Sequence, residues 1–244
     1  MTAELDAFSR IGLAMKTCNL CGFPILRIQP GVFGSRCVRC LSTSIHRAVG
    51  KVLDGLRFSS DIDVYELSSR GALCRYHDRR FPNTTFSEYF DDVEPGDFRR
   101  GVQCQNVQRL TFASGSFDLV TSTEVFEHVA DDTAGFQEIF RVLRTGGHFV
   151  FTVPLSGADT TVERAVIRGT AVVPLLPLNY HGDRIRGTGK VLVFRDYGLD
   201  LEEKLAAGGF SVRIVPVDDA RHAIHNTRVI VCSKQPALSG SKTA

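Results

Sequence analysis

Apolar and polar positions are most sharply patterned between Ser114 and Pro154. Phe117 to Ser122 (FDLVTS) is a short apolar run, as a strand buried on both faces of a parallel sheet requires. Phe136, Ile139, Phe140 and the Val142-Leu143 pair then recur at helical spacing and mark one buried face. Thr145-Gly146-Gly147 is expected to end that helix, because glycine reaches a left-handed cap without steric cost. His148 to Val153 (HFVFTV) is a second apolar strand, stopped by Pro154. Strand, helix and strand make a βαβ unit, and open sheets of such units take ligands outside the carboxyl ends of their strands. Residues Ile45 to Leu56 (IHRAVGKVLDGL) read as an amphipathic helix. Asp200 to Gly209 (DLEEKLAAGG) reads as a second helix, and Ser211 to Val217 with Thr227 to Ser233 read as a terminal antiparallel pair.

Composition narrows the class. The chain has 244 residues, enough for one α/β domain and a small appendage, and a 43% apolar fraction that supports a real core. A formal net charge of +2 argues against a protein built around long nucleic acid. No apolar run approaches the roughly 20 residues of a membrane span, and no secretory leader is seen, so the expectation is a cytoplasmic protein without a membrane partner. Seven cysteines in such a chain point to metal or free thiols rather than a disulfide framework.

Four of those cysteines form two knuckles, Cys18-Asn-Leu-Cys21 and Cys37-Val-Arg-Cys40. Two closely spaced thiolate pairs suit a tetrahedral Zn²⁺ site of a structural ribbon; disulfides or redox thiols are the competing readings. Four thiolates leave no open coordination position, so the metal would stabilise and not catalyse. The intervening stretch reads as a hairpin with Pro30-Gly31 at its turn. No flexible linker follows, so the ribbon is expected to pack against the main domain. Cys74, Cys104 and Cys232 stand singly and read as buried apolar residues.

Phe117-Asp118, then Glu124-Val-Phe-Glu127-His128, then Arg141-Val-Leu-Arg144-Thr145-Gly146-Gly147 follow one another in the order found in class I S-adenosylmethionine (SAM) dependent methyltransferases of the type 11 sort, which this segment resembles. Thr145 stands where proline is usual. The resemblance implies an α/β, Rossmann-like seven-stranded methyltransferase sheet over residues 61–234. It would be preceded by a zinc-ribbon module (1–44) and a linking helix (45–60), and followed by a flexible tail (235–244).

The same resemblance assigns a cofactor site. Glu66 matches the acidic position after the first strand, but the usual glycine slots hold Ser68, Arg70 and Ala72, with Gly71 one place out of phase. Glycines there normally let backbone approach the cofactor closely. Either Ser68 and Ser69 supply hydroxyls in a reshaped loop, or cofactor binding is weakened. Asn83 to Phe90 matches the second strand, with Glu88 in the place of the carboxylate that takes the ribose hydroxyls; a solvated charge is the plain alternative. Asn106 and Val107 follow the third strand, where the amide oxygen of Asn106 and the N–H of Val107 would meet the adenine edge. Thr123 and Glu124 close the fourth strand, near the methionine end of SAM.

Two histidines are candidate catalytic bases. If a helix starts at Thr123, Glu124 and His128 share a face, and His128 has a pKa suited to proton transfer; the plain reading is that Glu127-His128 fixes the loop. His181 lies in Asn179-Tyr180-His181-Gly182-Asp183, which resembles a Tyr-His-Gly-Asp-Pro signature of some bacterial methyltransferases and either contacts substrate or builds a tight turn. His46, in a partial match to the Cys-Gly-Ser-x-x-Arg-His-Arg ending of ribbon-bearing methyltransferases, either reaches the substrate or caps a helix. Arg164, Arg168, Arg184 and Arg186 make the acceptor region basic, which suits an anionic acceptor or simply a solvated surface. The functional expectation is methyl transfer to an oxygen or nitrogen of a small-molecule acceptor, a sugar or glycan intermediate being one. The alternatives are an rRNA or tRNA base methyltransferase and a non-catalytic binding module.

Overall fold

The computed structural model describes residues 16–29, 31, 33–183 and 189–236. Its first unit is an antiparallel hairpin of β1 (Ile25–Arg27) and β2 (Ser35–Cys37), with Ile25 opposite Cys37. Pro30 of the expected turn lies outside the described residues, as do Arg184, Arg186 and most of the expected tail. Helix α1 (Ser44–Leu56) follows, opened by a reciprocal cap between Thr43 and His46. His46 therefore serves the helix start, and burial holds its pKa down at about 4. The apolar stripe Ala48, Val49 and Leu53 packs in one cluster with Val64, Leu119, Val150, Val229 and Val231. The helix is thus a layer of the sheet as well as a connection.

The sheet is assembled from β3 (Val64–Glu66), α2 (Ala72–Arg80), β4 (Thr84–Glu88), β5 (Phe98–Arg99), β6 (Val102–Cys104), β7 (Phe117–Thr123), α3 (Asp132–Val142) and β8 (Leu143–Thr152). After an arm of short strands come α4 (Leu201–Ala207), β15 (Phe210–Asp219) and β16 (Ile224–Lys234). Strand order is β15-β16-β8-β7-β3-β4-β6-β5. Pairs among β3, β4, β6, β7 and β8 are parallel, whereas β15 and β16 join antiparallel. Seven of these strands form the expected Rossmann-like sheet. The eighth, β5, is a two-residue antiparallel addition at the edge. The chain leaves β3 first to one side and later to the other, so a crevice opens above the carboxyl ends of β3 and β7, the topological switch point.

The opposite face is covered by α3 and α4, through Phe136, Ile139, Leu201 and Leu205 packed with Phe149 and Phe151. Phe126 stacks on Phe136 with ring centroids 4.4 Å apart. A side chain on Gly135 would meet Phe126 at 2.9 Å, so this glycine sets the approach of α3 to the loop after β7.

Three local expectations are corrected. The helix ends at Val142, before the glycines, and β8 already begins at Leu143. Gly146, at φ +83°, and Gly147, whose added Cβ would meet Arg144 O at 2.8 Å, bend the strand there instead of capping the helix. No helix starts at Thr123: Glu124 takes φ +54°, a single 3₁₀ turn spans Phe126–His128, and α3 begins at Asp132. Glu124 and His128 are consequently not related by a helical turn. Asn179–Gly182 is no tight turn either but strand β12.

That strand belongs to the arm: β9 (Val162–Glu163), β10 (Ala165–Arg168), β11 (Ala171–Pro174), β12 (Asn179–Gly182), β13 (Lys190–Val193) and β14 (Arg195–Asp196). These pair as β10 with β11, β12 with β13, and β9 with β14, all antiparallel. Among the described residues no helix is long and apolar enough to cross a membrane.

Candidate active site

Two cavities meet at His128. The smaller, about 310 Å³, lies over the carboxyl ends of β3, β4, β6 and β7 and is walled by Leu67, Tyr89, Asn106, Val107 and Val129. The larger, about 920 Å³, lies beyond β7 and β8, walled by Glu124, the Thr152–Gly157 segment and His181. Ile45 and Phe33 from the amino-terminal unit and Asn226 to Arg228 from β16 complete it. The imidazole of His128 lines both.

The loop carrying Glu127 and His128 is fastened to the arm. Arg195, almost fully buried, donates through its guanidinium to the carbonyls of Phe126 (3.2 Å), Val129 (2.5 Å) and Ala130 (2.8 Å), and through Nε to Glu163 (2.9 Å). The N–H of Phe194 donates to Glu127 O at 2.8 Å. His128 Nδ1–H donates to the Leu192 carbonyl at 2.7 Å, which places the proton of the neutral ring on Nδ1 and turns Nε2 to the cavity side. His181, on β12 opposite Val191, brings its Nδ1 to 3.2 Å from His128 Nε2. The two candidate histidines, distant in sequence, stand side by side.

Glu127 is the buried member of this group. It is 1% exposed, and neither carboxylate oxygen has a hydrogen-bond partner. Burial first, then the nearby Glu124 charge, pushes its pKa well above the usual carboxylate range. Burial likewise lifts Glu124 to about 7.

The predicted cofactor residues divide into groups. Asn106 and Val107 wall the smaller cavity. The amide oxygen of Asn106, however, accepts from Gln108 N (3.0 Å) and Nε2 (3.1 Å), so this side chain offers its N–H₂ instead of the acceptor expected. Glu88, at the end of β4, is buried between the cavity residues Ser87 and Tyr89, lines neither cavity itself, and accepts from Ser69 N and Oγ, each at 2.9 Å. The reshaped loop therefore uses Ser69 to hold that carboxylate at the strand end. Gly71, at φ +112°, opens α2 with a backbone conformation that other residues rarely adopt. Ser68 is half-buried and receives the Cys74 thiol on its carbonyl; Thr123 is half-buried at the end of β7; neither lines either cavity.

Glu66 corrects the expectation. It is 1% exposed, accepts from the Thr121 hydroxyl, lies 3.6 Å from His77 Nε2 and lines neither cavity. Its charge is held inside the fold, between β3, β7 and α2.

Sequence reasoning missed Tyr89 and the arm residues Ile167 and Phe194 in the smaller cavity, and Phe33, Ile45 and the β16 residues in the larger. All come from elements far apart in sequence. Ile45 alone had a signal, since the absence of a linker implied that the first unit touches the domain.

The four knuckle sulfurs converge. Cys18 Sγ is 3.6 Å from Cys40 Sγ, Cys21 Sγ is 3.4 Å from Cys37 Sγ, and all four lie within 4.8 Å of one another. A tetrahedral zinc with bonds of about 2.3 Å spaces its sulfurs at about 3.8 Å, so the set has the shape of such a site.

Residues 72–151, about a third of the chain, match the family described as Methyltransferase domain. The chain is similar to the demethylmenaquinone methyltransferase of Mycolicibacterium gilvum, 35% identical over 118 residues that cover 47% of each chain. It is also similar to the ubiquinone biosynthesis O-methyltransferase of Xanthomonas axonopodis pv. citri, 34% identical over 92 residues, 37% of this chain and 38% of that one. The chain thus spans less than half the length of these curated relatives. Among solved structures, a SAM-dependent methyltransferase from Clostridium acetobutylicum aligns with 78% of this chain and 89% of its own, at 15% identity and a TM-score of 0.49. The matched residues include strands β4, β6 and β7, whose carboxyl ends wall the smaller cavity.

Proposed function

We propose that the protein is a SAM-dependent methyltransferase acting on a small-molecule hydroxyl or amine. The observation that carries this reading is that one residue, His128, walls both a cavity at the switch point and a second cavity built by the arm. A cofactor over the strand ends and an acceptor under the arm would meet at that residue. SAM supplies a methyl group on a sulfonium that an acceptor lone pair displaces in line.

The chain's residues supply position and a proton acceptor. Glu88, held by Ser69, takes the ribose hydroxyls. Asn106 and Val107 border the adenine, with the N–H₂ of Asn106 as donor. Glu124 and the two histidines face the acceptor, and the acceptor's proton passes to His128 or His181. Residues Cys18, Cys21, Cys37 and Cys40 hold a structural Zn²⁺ that fixes Phe33 and Ile45 in the acceptor wall.

The acceptor class follows from that wall. Ile45, Val153, Pro154 and Leu155 line the cavity together with Glu124, His128 and His181, a mixture that suits a compact, partly apolar ring bearing a hydroxyl. The quinone-pathway names of the relatives agree with such an acceptor. A sugar or glycan acceptor has no support among them. Zinc-loaded protein incubated with methyl-labelled SAM and a panel of dihydroxy-aromatic compounds should label at least one of them. Label found only in an added RNA fraction would overturn the small-molecule reading.

A further inference from the structure

The cluster at the cavity boundary has the geometry of a cation site. Glu127 Oε1 lies 3.5 Å from His128 Nε2 and 3.7 Å from His181 Nδ1, and the two nitrogens are 3.2 Å apart. A point in the plane of these three atoms is equidistant from them at about 2.0 Å, the length of a bond from a divalent first-row metal to imidazole or carboxylate. Both glutamate–imidazole distances are too long for hydrogen bonds. An ionised carboxylate buried without donors costs several kcal/mol unless a positive charge meets it, and Glu127 has no hydrogen-bond donor on either oxygen.

The surroundings fit a ligand set. The Nδ1–H of His128 is anchored on the Leu192 carbonyl, the outer-shell bond that orients a metal-binding imidazole. His181 comes from the arm and the other two from the loop after β7, so a cation would clasp the arm to the core. Two imidazoles and one carboxylate on one side leave the remaining positions toward the larger cavity, which His128 and His181 both line. We propose that Glu127, His128 and His181 bind one divalent transition-metal ion, separate from the four-cysteine site and open to the acceptor cavity. With the ion bound the two histidines serve as ligands instead of proton acceptors: an acceptor oxygen entering from that cavity would complete the coordination, and its proton would pass to the Glu124 carboxylate in the same cavity. This role rests on the methyl-transfer reading; the binding itself does not.

The test is metal binding by the full chain, with the cysteine site first saturated with one equivalent of zinc. Mn²⁺ is then titrated and followed by electron paramagnetic resonance. Wild type should bind one further equivalent. Glu127→Gln, which keeps shape and removes charge, and His181→Ala, on a half-exposed hairpin whose loss spares the core, should each weaken binding by about 100-fold or more. His225→Ala, an exposed histidine outside the cavity, should leave it unchanged. Co²⁺ taken up under the same conditions should show no thiolate-to-cobalt charge-transfer band. The proposal is overturned if wild type takes up no further equivalent, if the extra ion shows thiolate ligation, or if His181→Ala binds as wild type does. None of these results depends on turnover.

Discussion

Arg47 and Glu127 are both buried charges, yet their surroundings are opposite. Arg47, fully buried on α1, donates to the carbonyls of Ser42 (2.6 Å), His222 (2.7 Å) and Ala223 (3.0 Å) and to the Ser35 hydroxyl (2.5 Å). It thereby ties the cysteine hairpin, the helix and the turn between β15 and β16 into one body. Glu127 is as deeply buried and has no donor at all. A buried charge with every bond made is part of the scaffold. A buried carboxylate left without donors, beside two histidines that line a cavity, is what the proposed cation site requires.

The largest effect should come from removing the zinc proposed for the four cysteines on the scaffold side. A strong chelator, or Cys37→Ser, should abolish one bound zinc per chain and unfold the hairpin, seen as a lowered and broadened thermal transition. Arg47→Met should come next. Stranding several buried carbonyls is expected to cost about 3–5 kcal/mol in urea unfolding of the zinc-loaded protein. Glu88→Ala should leave the fold intact and weaken binding of S-adenosylhomocysteine about 10- to 100-fold, the worth of charge-assisted hydrogen bonds.

The smallest stability effect should be at the cluster, where Glu127→Gln removes an unpaired charge without changing volume. Its unfolding free energy should stay within about 1 kcal/mol of wild type or rise, the opposite of Arg47→Met. Glu124 gives a pH test of the same contrast. Its folded pKa is about 7 against an ordinary 4.5, so across that window the native state holds more protons than the unfolded chain. Stability should therefore fall as pH rises from 4.5 to 7, and Glu124→Gln should flatten that part of the profile.

Much of the fold was legible because local pattern determines it. The apolar runs of β7 and β8 and the stripe on α3 need burial whatever surrounds them, and the paired cysteine knuckles carry their geometry in their spacing. The smaller cavity was legible only where one strand end supplies a lining residue, as with Asn106 and Val107. Glu66 reads as a cofactor residue by position, but its partner His77 lies on α2, and no local pattern shows that the two meet. Asn106 presents its other face because Gln108, two residues on, takes its oxygen. The pairing of His181 with His128 depends on the β12–β13 hairpin register and on Leu192 receiving His128, and the contacts that bring this hairpin to His128 are set across more than 50 residues. The glycines after α3 misled for a simpler reason: a left-handed glycine serves a strand bend as well as a helix end.

The central claim, that the crevice above β3, β4 and β6 binds the methyl donor despite its altered glycine loop, is tested most directly by calorimetric titration of the zinc-loaded protein with S-adenosylhomocysteine. One binding site per chain, weakened in Glu88→Ala, is expected. A folded, zinc-loaded protein that gives no binding heat at any temperature tried and no ligand-dependent rise in its melting temperature would contradict it.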